Sequence, residues 1–181
     1  MISAIYQFSL LGFLAFQRRH PSLHEVAVIS ILDRGEGAKF GLPDLQSHHS
    51  FLRLSFEDTY EEPGEPDWPD EPSSLQHLRY SQSYGERVPT LEDAFRVVGF
   101  VNELRHRPES VTLAVHCHGG ISRSVAVAQS ISARLFLPVS PAPAGVPMPF
   151  SAPRPNPRMV RLLEKAWAHF EQRASEAHAF T

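Results

Sequence analysis

Residues 111–137 read VTLAVHCHGGISRSVAVAQSISARLFL, and the fold turns on how that run divides. Val111 to Val115 is nearly all apolar, as a central parallel strand covered on both faces should be. Gly119 and Gly120 turn the chain, and from Ser122 onward the pattern is helical until Pro138 stops it. Strand, glycine loop and helix in that order aim backbone N–H groups of residues 118–122, and the unpaired N–H groups of the helix start, at one concavity. Such a concavity favours an anion. Cys117 lies at its bottom, where the same field favours a thiolate. Arg123, in the first turn of the helix, adds a planar fork that can grip two oxygens of a tetrahedral oxyanion. A thiolate beneath a cradle for a dianion is equipped to attack phosphorus, forming a cysteinyl-phosphate that water then hydrolyses. This chemistry needs no metal and no other cofactor.

The rest of the chain builds an α/β frame around that run. Its 181 residues fit one domain, 42% of them apolar and 20% charged, a soluble globular composition. The net charge of −3 argues against a nucleic-acid partner. The single cysteine excludes an internal disulfide or a Cys-cluster zinc site, and suits a reducing, cytoplasmic setting. Tyr6 to Phe16 is apolar but too short to span a bilayer and wrongly flanked for a signal, so a helix packed on the core is expected there, with no membrane partner. Val26 to Leu32 and Ser50 to Phe56 read as strands. Thr90 with Asp93 forms a capping-box pattern before the apolar stripe Leu91, Ala94, Phe95, Val98, Val101 and Leu104. Pro157 opens a last helix whose stripe is Met159, Leu162, Leu163, Ala166, Trp167 and Phe170. Alternating strands and helices imply a central, mostly parallel sheet flanked by helices. Two segments stand apart: an acidic, Pro-rich insertion at about 59–88 and a Pro-rich connector at 138–157 with eight prolines.

His116-Cys117, five residues, then Arg123-Ser124 resembles the signature of the protein tyrosine phosphatase superfamily, in its dual-specificity-like branch. Ser55-Phe56-Glu57-Asp58 after a strand is similar to that branch's general-acid loop. Arg154-Pro155-Asn156-Pro157 before the last helix is similar to its Pro-Asn segment. The overall likeness is to compact bacterial predicted tyrosine phosphatases, from the first strand to the last helix. The resemblance implies a phosphatase-type fold, with Cys117 as nucleophile and Arg123 as phosphate clamp. It implies that Ser124 bonds the thiolate and eases its departure, and that His116 orients the loop and tunes the cysteine without transferring protons. Asp58 would be the general acid that becomes a general base, and Asn156 would brace the loop. The loop from His118 through Gly119, Gly120, Ile121 and Ser122 would hold the phosphate. One departure is the spacing: Asp58 and Cys117 lie 59 positions apart, farther than in compact members. The insertion also contains Trp68-Pro69-Asp70, the acid motif of the larger tyrosine phosphatases, which makes Asp70 a rival acid. Asp58 is preferred because it directly follows a strand.

Blander readings stand beside these. Most single cysteines are small buried hydrophobes, His118 fits a solvated loop histidine, and Asp58 and Asp33 fit strand-end turn positions. His48-His49 lacks partners at metal-ligand spacing, so no metal is expected. The expected substrate is a phosphorylated protein, read at phosphotyrosine and extending to phosphoserine and phosphothreonine. The alternatives are a non-protein phosphomonoester (inositol phosphate, phosphoinositide or RNA 5′ phosphate), a phosphate-binding module without turnover, and a sulfurtransferase. A loop without lysine lowers the inositol reading, and Ser122-Arg123-Ser124 has no evident use in a sulfurtransferase.

Overall fold

The computed structural model describes residues 1–20, 22–58, 88–149 and 151–179. In chain order the elements are β1 (Ile2–Ser9), α1 (Leu10–Arg19), β2 (Val26–Ile31), α2 (Arg34–Phe40) and β3 (Ser50–Leu54). Then come α3 (Leu91–His106), β4 (Val111–Cys117), α4 (Arg123–Leu135), β5 (Val139–Ser140) and α5 (Pro157–Ala179). The strands form one sheet in the order β3-β2-β4-β1-β5, and every pairing is parallel. Both faces of a parallel sheet must be covered, and here they are. One core joins Ile29, Leu113 and Val115 of the sheet to Val98 of α3, Val127 of α4 and Leu162 of α5. The other gathers Phe8, Val28 and Ala114 against Phe13 and Phe16 of α1. No helix among the described residues is long and apolar enough to cross a membrane.

The N-terminal expectation needs correction. Tyr6 to Phe16 is not one helix: residues through Ser9 belong to β1, and the helix begins at Leu10. Ser9 divides the stretch. Its backbone is extended and its hydroxyl accepts the Gly12 N–H at 3.1 Å, an N-cap that ends the strand and opens the helix at one residue. β1 then pairs with β4 along its length, and Ser9 comes level with Cys117. Two further elements, α2 and the two-residue β5 inside the Pro-rich connector, were not expected from the sequence. Asp33, read as a turn residue, caps α2 instead.

Elsewhere pattern and element agree. Thr90 and Asp93 form the capping box of α3, with the Thr90 N–H 3.0 Å from Asp93 Oδ2. Met159, Leu162, Leu163, Ala166 and Trp167 of α5 are all buried. The acidic insertion, with Asp70, lies outside the described residues.

α4 ends on a strained residue. Phe136 adopts φ 51° and ψ 35°, and its side chain is 95% exposed, so it gains little packing for a left-handed backbone. That conformation costs an L-residue about 1–2 kcal/mol, a penalty glycine escapes. Phe136→Gly is therefore expected to stabilise the fold by about 0.5–1 kcal/mol after its greater unfolded-state entropy is counted. Denaturant unfolding checks the sign.

Candidate active site

β4 lies between β2 and β1, and its last residue, Cys117, is level with Ile31 and Ser9 on those neighbours. The loop after it therefore opens at the carboxyl end of a parallel sheet, the usual place for a ligand crevice. Cys117 is buried, its sulfur accepts the Gly120 N–H at 3.3 Å, and it shares a hydrogen bond with the Ser124 hydroxyl at 3.1 Å. Ser124 has one proton to give. Gln7 Nε2, a donor only, approaches Ser124 Oγ at 3.0 Å and takes one of its lone pairs. A Cys117 thiolate would take that proton; Phe8 O, at 3.5 Å, is the other acceptor within reach. The N–H groups of Gly119, Ile121 and Ser122 find no acceptor among the described residues. They remain as donors on the loop that follows Cys117.

The two loop glycines differ. Gly120 has φ +68°, and a Cβ there would meet Ser9 N at 2.5 Å and Phe8 C at 2.9 Å. The loop is thus pressed onto the backbone of β1, with Gln7 Nε2 also bonding Gly120 O at 2.9 Å. Gly119 has ordinary room for a Cβ, 3.5 Å from Ile121.

Arg123 is buried, and its guanidinium is divided between two uses. Nη1 and Nη2 donate to the two Glu36 oxygens at 3.0 and 2.7 Å, and Nη1 also donates to Phe56 O at 3.0 Å. That leaves Nε–H, buried and without a partner, and one Nη2 hydrogen on the adjoining edge. Burial opposes the charge, but the Glu36 hydrogen bonds and the Cys117, Glu36 and Asp58 charges more than offset it, holding the group above its ordinary value. Glu36 is the third residue of α2, and its Oε2 also accepts the Asp33 N–H at 3.0 Å, completing a capping box. His118 joins the same cluster: Nδ1 lies 3.3 Å from Glu36 Oε1, its ring stacks on Phe40 at 4.5 Å, and its carbonyl accepts the Leu10 N–H.

Asp58 is exposed and sits beside the loop. Its Oδ1 accepts Ser122 Oγ–H at 2.6 Å and Asn156 Nδ2 at 2.9 Å, while Oδ2 has no partner among the described residues. Ser122 thus turns its hydroxyl to Asp58 instead of capping α4. Asn156 is fully buried: its N–H reaches Ser122 O at 3.4 Å, and its Oδ1 accepts Met159 N–H at 2.9 Å at the start of α5. Ile121 O accepts the Arg154 N–H at 2.7 Å, so the connector holds the loop's far side.

His116 faces away from this chemistry. It is fully buried and stacks on Phe13 of α1 at 4.3 Å and 11°, and neither ring nitrogen has a well-formed hydrogen bond. Burial lowers its pKa to about 3; the Cys117 backbone opposes the shift, and the Arg53, Arg123 and His48 charges add to it. A ring held neutral cannot shuttle protons at neutral pH.

The structure thus brings together Cys117, Arg123, Ser124, Asp58 and Asn156. Two residues beside the loop were missed from the sequence. Glu36 had a readable signal, because Asp33-Arg34-Gly35-Glu36 is a D-x-x-E capping pattern. Gln7 had none, being one polar residue in an apolar stretch.

No protein-family model matches the chain, and no curated protein matches it. Among solved structures, that of PTPMT1 is similar at 17% identity, covering 96% of this chain and 95% of that one, with a TM-score of 0.51. A structure of the human tyrosine phosphatase-like serine/threonine/tyrosine-interacting protein is similar at 18% identity, covering 87% and 83%, with a TM-score of 0.36. The likeness to PTPMT1 is one of fold: a five-stranded parallel sheet with flanking helices, of the phosphatase type.

Gly120→Ala is expected to cost about 2–4 kcal/mol through backbone strain and collision with β1, and Gly119→Ala less than about 1 kcal/mol. Chemical denaturation of the pair reads the difference. His116 gives a pH signature. An unfolded histidine titrates near 6.5 and the folded one near 3, so between those values the unfolded chain binds the extra proton. The stability this group contributes is complete above about pH 6.5 and is lost as pH falls through that window, at up to about 1.4 kcal/mol per pH unit. His48 is lowered in the same direction by burial. His116→Phe, followed by urea unfolding between pH 4 and 7, should therefore flatten the slope by about one proton without abolishing it.

Proposed function

We propose that this protein is a cysteine-dependent phosphoric monoester hydrolase acting on phosphotyrosine in proteins, and on phosphoserine and phosphothreonine, through a cysteinyl-phosphate. One observation carries the reading: next to a sulfur hydrogen-bonded to Gly120 N–H and Ser124 Oγ, Arg123 keeps a free Nε–H and the loop keeps N–H groups that have no acceptor among the described residues. In the first step Sγ attacks phosphorus and the bond to the leaving oxygen breaks. Asp58, protonated at Oδ2, gives that oxygen its proton. The equatorial oxygens meet loop N–H groups and Arg123 Nε, donors that need no rearrangement as charge develops. In the second step Asp58 takes a proton from water, water attacks phosphorus, and the P–S bond breaks. Ser124 O–H stabilises the departing thiolate. Support for an aromatic leaving group comes from His118 and Phe40, a stacked and partly exposed pair beside the loop.

Glu36 acts through Arg123. Its carboxylate fixes one edge of the guanidinium, so the other edge is oriented before substrate arrives. Glu36→Gln is expected to lower kcat/KM by about 10- to 100-fold, with vanadate affinity falling in step.

Purified protein should release p-nitrophenol from p-nitrophenyl phosphate with chelator present, and Cys117→Ser should not. On phenyl phosphate, a poorer substrate that needs its acid, Asp58→Asn should lose about 10²–10³ in kcat/KM, with Asp70→Asn within about twofold of the parent. Loss confined to Asp70→Asn reverses the acid assignment. Phosphotyrosyl peptides should be turned over faster than inositol phosphates or an RNA 5′ phosphate, and the opposite ranking overturns the protein-substrate reading.

A further inference from the structure

α2 has two sides. Glu36 reaches the phosphate loop, while Gly37 and Ala38 line a separate cleft of about 490 Å³. That volume lies within the range of small-molecule sites. Leu32, Leu42 and Leu54 make much of its wall apolar, and Arg53 and Arg96 also line it. The two arginines are linked, since Arg96 Nη2 donates to the Arg53 carbonyl at 2.9 Å. Arg53 is held in place: Nη2 donates to Pro43 O at 2.6 Å, and the guanidinium lies over the Phe51 ring at 5.7 Å. Its Nη1 is nevertheless buried and has no partner.

Neither arginine has a carboxylate within ion-pair distance among the described residues. Asp33 is the acid on the wall, but its carboxylate is engaged elsewhere: Oδ1 accepts the Glu36 N–H at 2.7 Å, and Oδ2 lies 3.8 Å from Arg123. A buried cationic donor without an acceptor is among the costlier features of an interior. An oxyanion carried on an apolar body would meet both halves of this lining, its charge at the exposed Arg96 with the Arg53 charge held behind the wall, and its body against the leucines.

We propose that this cleft binds a small organic anion, a carboxylate or phosphate on an apolar body, at a site distinct from the phosphate loop. The proposal does not depend on the catalytic reading, because it is tested by binding alone.

The probe is 1-naphthoate, titrated into the full chain and followed by calorimetry and by amide NMR shifts. One site saturating below about 1 mM is expected. Shifts should centre on Gly37, Ala38, Leu42 and Ser55. The neutral analogue 1-naphthalenemethanol should bind at least tenfold more weakly. Arg96 is exposed, so Arg96→Met leaves the fold intact, and it should weaken naphthoate at least fivefold. Arg53→Met should weaken it as well, and so should Ala38→Leu, which narrows the cleft and keeps both charges. If Arg53→Met fails to fold, Arg96→Met decides. No saturable binding, shifts centred on Gly119 to Ser122, equal affinity for the alcohol, or an unchanged Arg96→Met each overturns the proposal.

Discussion

The site depends on a buried guanidinium being matched from one side only. Arg123 has 4% of its side chain exposed, and an unpaired charge at such depth would cost several kcal/mol. Glu36 and Phe56 O neutralise and satisfy one edge, which makes the buried charge tolerable while leaving Nε–H unsatisfied. The partners come from two separate places, the start of α2 and the segment after β3. Glu36 is itself fixed, since its Oε2 serves the capping box and the arginine together. Helix capping and the fixing of the Arg123 guanidinium are therefore one network, and neither can be altered alone.

The same economy recurs around the loop. Four parts of the chain lend it a bond: β1 through Gln7, α1 through the Leu10 N–H, the segment after β3 through Asp58, and the connector through Arg154 and Asn156. These restraints fix the loop while leaving several of its N–H groups without an acceptor among the described residues. Such groups are costly when idle and effective when an oxyanion arrives, because no reorganisation remains.

Much of this was legible in the chain itself, for physical reasons that differ by residue. β4, its glycine turn and α4 could be read because apolar content, turn residues and the proline stop agree locally. α3 and α5 could be read from caps and period. β1 could not, because its alternation merges into the apolar start of α1, and only the tertiary pairing with β4 makes Ser9 the boundary. α2 is seven residues long with two glycines, so periodicity had little to register, although its capping pattern was present. Among site residues, Cys117, Arg123 and Ser124 share one short segment and carry their own spacing. Gln7 and Glu36 join them from 117 and 87 positions away, separations that no local pattern encodes.

Those separations also bear on how the protein is made. β1 is synthesised first, yet its main neighbour β4 emerges more than 100 residues later. During that interval a nascent chain carries an apolar strand with nothing to pair against, the sort of segment that chaperones shield and that self-associates when unshielded. Parallel pairing over such a distance is slow to close. The pocket floor, made partly by the first strand and partly by the fourth, can come into being only late in synthesis, so a ribosome-bound fragment ending before Cys117 holds only the first strand's share of it.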